Sequence, residues 1–99
     1  MCPLSSLSSP EVFNVTLTTT GIEYSQVVQD ISINIAYLKS IQIRSKEAQD
    51  LRCAFITSGP YFTIPSGNTY WQDNMDMPNL TVYLVGAIDG QIAEILVWR

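Results

Sequence analysis

"LTVYLVGAIDGQIAEILVW", residues 80–98, decides the class of fold. Two runs rich in Val, Ile, Leu and aromatic residues flank Asp89-Gly90, and β-branched content of this kind favours strand over helix. Asp-Gly between two such runs is the strongest hairpin signal in the chain, since a type I′ turn needs φ > 0 at both central residues. The expectation is therefore two antiparallel strands joined by a two-residue turn.

The same chemistry recurs toward the N-terminus. In "VFNVTLTTT" (residues 12–20) Phe13, Val15 and Leu17 alternate with Asn14, Thr16 and Thr18, the period of two of a half-buried strand, and Gly21 closes it. "IEYSQVV" (22–28) predicts a second strand, Gln29-Asp30 a turn, and "ISINIAY" (31–37) a third strand in which Ile31, Ile33 and Ile35 alternate with Ser32, Asn34 and Ala36. "LKSIQIRS" (38–45) keeps Ile41 and Ile43 on one face, "KEAQD" (46–50) is a polar connector, and "LRCAFITS" (51–58) puts Leu51, Cys53 and Phe55 inward. Pro65-Ser66-Gly67 is a tight-turn signal between "YFTIP" (61–65) and "NTYWQ" (68–72), and in the latter one of Tyr70 and Trp71 must face the core. No segment carries a helical period.

About eight short strands in 99 residues predict an all-β fold. The specific expectation is a jelly-roll-like β-sandwich of antiparallel strands with an extended N-terminal arm. An immunoglobulin-like sandwich is the second choice, weakened by the lack of a Cys…Trp…Cys core. Residues 1–11 read as the arm, because "MCPLSSLSSP" is Ser-rich with little apolar surface, and residues 12–99 read as one domain.

Composition bounds the function. A hydrophobic fraction of 46% against 14% charged residues is apolar for a soluble monomer, which predicts surface that meets a partner. Net charge is −4 and the five Lys/Arg are scattered, so no basic stripe exists to bind nucleic acid. No run reaches the roughly 18 apolar residues of a membrane span, and the start lacks the features of a signal peptide, so synthesis in a cytoplasm is expected. In that compartment Cys2 and Cys53 stay reduced, and Cys53 reads as a small buried hydrophobe.

The chain has no histidine, which removes the commonest general base near neutral pH and the commonest metal ligand. A non-enzyme without a cofactor is expected. Asp73 and Asp76 share a loop and Glu94 lies on the last strand, but loop carboxylates are ordinary. "DNMDMPN" (73–79) offers oxygen ligands from Asp73, Asn74, Asp76 and Asn79 without the frame of a dedicated calcium loop, and a solvated turn is the favoured reading. Tyr61, Tyr70 and Trp71 near Asp73 suggest a sugar-stacking platform as an alternative. Met75 and Met77 suit adaptable apolar contact. Leu4 and Leu7, spaced among serines, suit shallow pockets on a neighbour. The candidate interface is thus Leu4, Leu7, Trp71, Asp73, Met75 and Met77.

Three features, Thr-Thr-Gly-Ile-Glu-Tyr-Ser (residues 19–25), Ile-Pro-Ser-Gly before Tyr-Trp (64–71) and Ala-Glu-Ile-Leu-Val-Trp (93–98), resemble a family of small all-β structural proteins of tailed bacteriophages. The resemblance spans nearly everything after the arm and includes no catalytic motif. It implies a virion component: a head decoration or cement protein that binds the major capsid protein or other virion proteins, or a tail-associated accessory or receptor-binding part. It also implies a homo-oligomer, most simply a trimer.

Overall fold

The computed structural model describes residues 10–99. The arm's Leu4, Leu7 and Cys2 lie outside the described residues. Eight strands follow in order: β1 (Glu11–Leu17), β2 (Glu23–Asp30), β3 (Ser40–Ser45), β4 (Leu51–Ala54), β5 (Phe62–Ile64), β6 (Thr69–Gln72), β7 (Asn79–Gly86) and β8 (Gln91–Trp98). The described residues contain no helix.

The strands form two four-stranded sheets, in the orders β1-β8-β3-β6 and β2-β7-β4-β5. All pairings are antiparallel, and they nest: β1 with β8, β2 with β7, β3 with β6, β4 with β5. Added contacts of β3 with β8 and β4 with β7 close each sheet. This is a jelly roll, as expected from the strand spacing.

Alternation in sequence becomes burial because side chains project to opposite faces of a pleated strand. Leu17, Ile41, Ile43, Leu51, Cys53, Ile64, Val82, Leu84, Ala93, Ile95 and Val97 fill the space between the sheets, joined by Leu38 and Val28. Phe13, Val15, Tyr24, Phe62, Tyr70 and Leu80 pack against that cluster from its margins. Each fully buried aliphatic side chain contributes about 1.5–3 kcal/mol by leaving water.

Four expectations change. The hairpin at Asp89-Gly90 does not form, because β7 and β8 belong to different sheets and the turn crosses between them. Only Gly90 has positive φ, at +78°, whereas a type I′ turn needs two such residues. The turn's bonds go to the end of β1 and the turn that follows it: Gly90 N–H donates to Leu17 O at 2.9 Å, and Thr20 N–H and its hydroxyl donate to Asp89 Oδ1 at 2.8 Å each. Both β7 and β8 already have neighbours on either side, so neither has a free edge for the other.

The second change is residues 31–37, which are loop and not strand. Asp30 holds the chain in a tight bend, its Oδ1 accepting Ser32 N–H at 3.0 Å and Ser32 hydroxyl at 2.7 Å, its carbonyl accepting Ile33 N–H at 2.9 Å and Asn34 N–H at 2.8 Å. Such local bonds compete with a sheet ladder. Gln29, expected in a turn, is buried at the end of β2, where its Nε2 donates to the carbonyls of Asn34 and Ala36. Thirdly, β1 begins at Glu11, one residue before the expected boundary, because Glu11 pairs with Val97 and its carboxylate accepts from Arg99 Nη1 at 2.6 Å. Lastly, β4 stops at Ala54, so Phe55 is exposed and not inward, its ring 5.7 Å from Phe62 and 6.1 Å from Tyr70.

Candidate docking surface

The winding gives the sandwich two unlike ends. Four short turns, 18–22, 46–50, 65–68 and 87–90, close one end. The 65–68 turn is built as its sequence predicts, with Gly67 at φ +81° and Asn68 N–H donating to Pro65 O at 3.0 Å. The other end carries three longer loops, 31–39, 55–61 and 73–78, together with the start of β1 and the end of β8.

Exposed apolar side chains are sorted between these ends. Ile33, Ile35, Tyr37, Phe55 and Ile56 stand on the long loops, and Val12, Val27 and Trp71 on the adjoining strand halves; Ile22 and Ile88 stand at the short-turn end. Ile35 is 89% exposed and Ile33 77%. Isoleucines this exposed to water, grouped with other apolar side chains at one end, form an apolar patch of the kind that suits contact with another surface.

Between loops 55–61 and 73–78 lies a cleft of about 350 Å³ walled by Phe55, Tyr70, Met75, Met77 and Leu80, with Gln72 and Asn74 also lining it. The backbone on this side is pinned by reciprocal bonds between Leu38 and Met77, at 2.9 and 3.1 Å, and by Met75 N–H donating to Lys39 O at 2.8 Å. The Lys39–Asp76 pair beside it, at 2.9 Å, is exposed and contributes little.

The sequence-derived site residues divide. Met75 and Met77 line the cleft. Trp71 points the other way, onto the outer face of the first sheet, 53% exposed with its ring 5.7 Å from that of Trp98. Val12, Leu96, Gln42 and Trp71 make one cross-strand row on that face, and the neighbouring row carries the Arg44–Glu94 pair at 2.8 Å. Asp73 is spent on its own turn, Oδ1 accepting Asn74 N–H at 2.9 Å. Tyr61, Tyr70 and Trp71 face three different surfaces, so the sugar platform expected from those rings does not assemble.

Tyr61 instead donates its hydroxyl to Glu23, and its ring lies 5.6 Å from the guanidinium carbon of Arg52 on the outer face of the second sheet. Glu23 also accepts from Ser58 N–H at 2.8 Å and Thr57 hydroxyl at 3.0 Å, so one carboxylate holds loop 55–61 down. The Tyr61 bond, with those from Ser58 and Thr57, lowers the Glu23 pKa; the Glu23 carboxylate raises that of Tyr61. No sequence period announces this contact, which joins residues 38 apart.

The oxygens considered for calcium are also engaged, Asn79 Oδ1 with Ile31 N–H at 3.1 Å and Asp76 with Lys39. Among the described residues no group of three or more His, Cys, Asp or Glu could hold a metal ion. Cys53 is buried and unpaired, and burial pushes its thiol up to about 12, away from the thiolate a nucleophile needs.

No family model matches the chain, and no curated protein matches it. Among solved structures, the solution NMR structure of a de novo designed double-stranded β-helix is similar, with a TM-score of 0.50 and 17% identity over 93% of this chain and 100% of the design. That likeness is one of fold alone.

Proposed function

We propose that the protein is a non-catalytic docking module, a structural component of a tailed-bacteriophage particle that sits on the head as a decoration or cement protein. The phage assignment rests on the sequence resemblance. The docking role is carried by one observation: the exposed apolar side chains gather at the long-loop end, where the chain also enters the domain. A sandwich suits this work because its backbone bonds are satisfied within its sheets while one end stays free to dock. Many copies across capsid seams add their contributions, so weak single contacts stabilise the shell. The partner is the major capsid protein or another virion protein, and the working location is the virion.

The test is to add purified protein to shells that lack it. Regular surface decoration and a raised disruption temperature are expected, and the double variant I33S/I35S should decorate at least about tenfold more weakly, as loss of two buried isoleucines implies. Shells left bare by the wild-type protein refute the assignment.

The Trp71–Trp98 pair favours a second reading, a tail-associated saccharide- or receptor-binding module, because adjoining tilted rings beside Gln42 and the Arg44–Glu94 pair offer an apolar face with planar polar groups. Tryptophan fluorescence that responds to cell-surface polysaccharide in the wild type and not in W71A is its expected result.

A further inference from the structure

The cleft at the long-loop end is apolar on its walls, open at its mouth, and filled by no side chain of the described residues. An apolar cavity of roughly 150 Å³ accepts benzene, so one of about 350 Å³ has room for two leucine side chains. Met75 and Met77 give it walls that adapt to a branched guest. The ten residues that precede Glu11 carry such guests in Leu4 and Leu7, set among serines and prolines that neither compete for the cleft nor build a core of their own.

These residues join the domain at this same end but at its far side. They lead into β1, the edge of the first sheet opposite β6, whose Tyr70 and Gln72 line the cleft. Three strand spacings separate those edges, roughly 14 Å across the sheet before any detour. Leu7 stands four residues before Glu11, a reach of at most about 14 Å fully extended, and Leu4 stands seven before it, a reach of about 25 Å. Within one molecule Leu7 therefore spans the sheet only at full extension, with no slack to seat both leucines together, whereas the segment of a neighbouring molecule faces no such limit.

We propose that the cleft between loops 55–61 and 73–78 receives Leu4 and Leu7 of a second copy of this chain. The contact is heterologous, segment into cleft, so repetition closes a ring where the rotation permits and runs on as a chain where it does not. It rests on the long-loop end being the docking end, but it is read between purified molecules with no particle present, so failure to decorate shells and failure of this exchange are separate results.

The native Cys2 supplies a reporter two residues from Leu4, and buried Cys53 stays silent. In the full-length chain carrying Q72C, at an exposed position lining the cleft, diamide oxidation should join Cys2 of one molecule to the cysteine introduced at position 72 of the next. The expected result is covalent oligomers on non-reducing gels, with the bond located by mass spectrometry, absent in C2S and reduced at least about tenfold by L4S/L7S. Sedimentation equilibrium of the chain without Q72C should show an assembly that L4S/L7S dissociates. A bond confined within one molecule, no bond at all, or a yield indifferent to L4S/L7S would each overturn the proposal.

Discussion

At the scale of single residues, two buried glutamines hold the two ends of the sandwich. Gln91 is fully buried at the short-turn end, where its Oε1 accepts Ala87 N–H at 2.7 Å and its Nε2 donates to Ser45 Oγ at 2.8 Å and Asp50 O at 3.0 Å. One amide thus ties the β7–β8 crossing to the β3–β4 connector. Replacing it with leucine keeps the bulk but strands Ala87 N–H and Asp50 C=O, so Q91L should cost about 2 kcal/mol or more in urea unfolding at unchanged m. Gln29 plays the matching part at the long-loop end, its Oε1 accepting from Arg99 Nε at 2.5 Å. Gly90 is a conformational requirement and not a packing one: φ is +78° and nothing lies within 4 Å of where a Cβ would stand. G90A should therefore lose about 1 kcal/mol from the left-handed backbone alone, and G90V at least as much. An unchanged melting temperature in both would refute that account.

At the scale of elements, loop 55–61 is the one most open to titration. Its attachment to the second sheet runs through Glu23, whose lowered pKa comes first from the Tyr61 hydroxyl. A depressed carboxyl stabilises the attached loop above the ordinary value of 4.5 and loses that contribution as pH falls through the folded value below it. Tyr61 has the opposite sign: its raised pKa contributes below the ordinary value of 10.0 and is lost as pH rises through the folded value above it. The protection of residues 55–61, their amide exchange relative to the unfolded chain at the same pH, should accordingly be greatest between these limits and fall beyond each. E23Q should speed exchange in this loop at neutral pH and remove the acid transition, while the core strands keep their protection. Loop 31–39 behaves differently, since its Ile33 and Ile35 are exposed and its shape comes from Asp30 and Gln29. I33S/I35S should leave thermal unfolding within about 0.5 kcal/mol of wild type, as befits surface substitutions.

For the whole molecule, the division of labour between ends predicts how truncation acts. Removing residues 1–9 spares Glu11 and its bond to Arg99, so the β1–β8 edge of the first sheet remains intact. Thermal unfolding of the truncated protein at low concentration should be little changed. Attachment to shells or to sister molecules should weaken, because a segment with little apolar surface contributes only once it is held by a partner. Truncated protein that decorates shells with undiminished affinity, measured by depletion from solution at matched salt, would remove the segment from the docking mechanism and leave the isoleucine-bearing loops as its surface.

The sequence by itself determined the class of fold and most of the core. A period of two with β-branched residues says which side of a strand a residue faces, and Phe13, Val15, Leu17, Ile41, Ile43, Leu51 and Cys53 all face where it says. Gly67 and Gly90 were legible as turn residues for the same local reason, that only glycine takes positive φ freely. Alternation does not say which strand lies alongside, so Asp89-Gly90 could equally join two strands in one sheet or cross between two, and only the packing of β8 between β1 and β3 decides it. Residues 31–37 have the composition of a strand, yet the carboxylate of Asp30 and the buried amide of Gln29 bend them outward. The candidate surface followed from that bend. Met75 and Met77 were visible as apolar contacts in a loop, but their union with Phe55, Tyr70 and Leu80 in one cleft, and the turning of Trp71 to the opposite face, depend on contacts between residues distant in the chain. Such contacts leave no periodic trace, because they are chosen by the closure of the whole sandwich and not by any stretch within it.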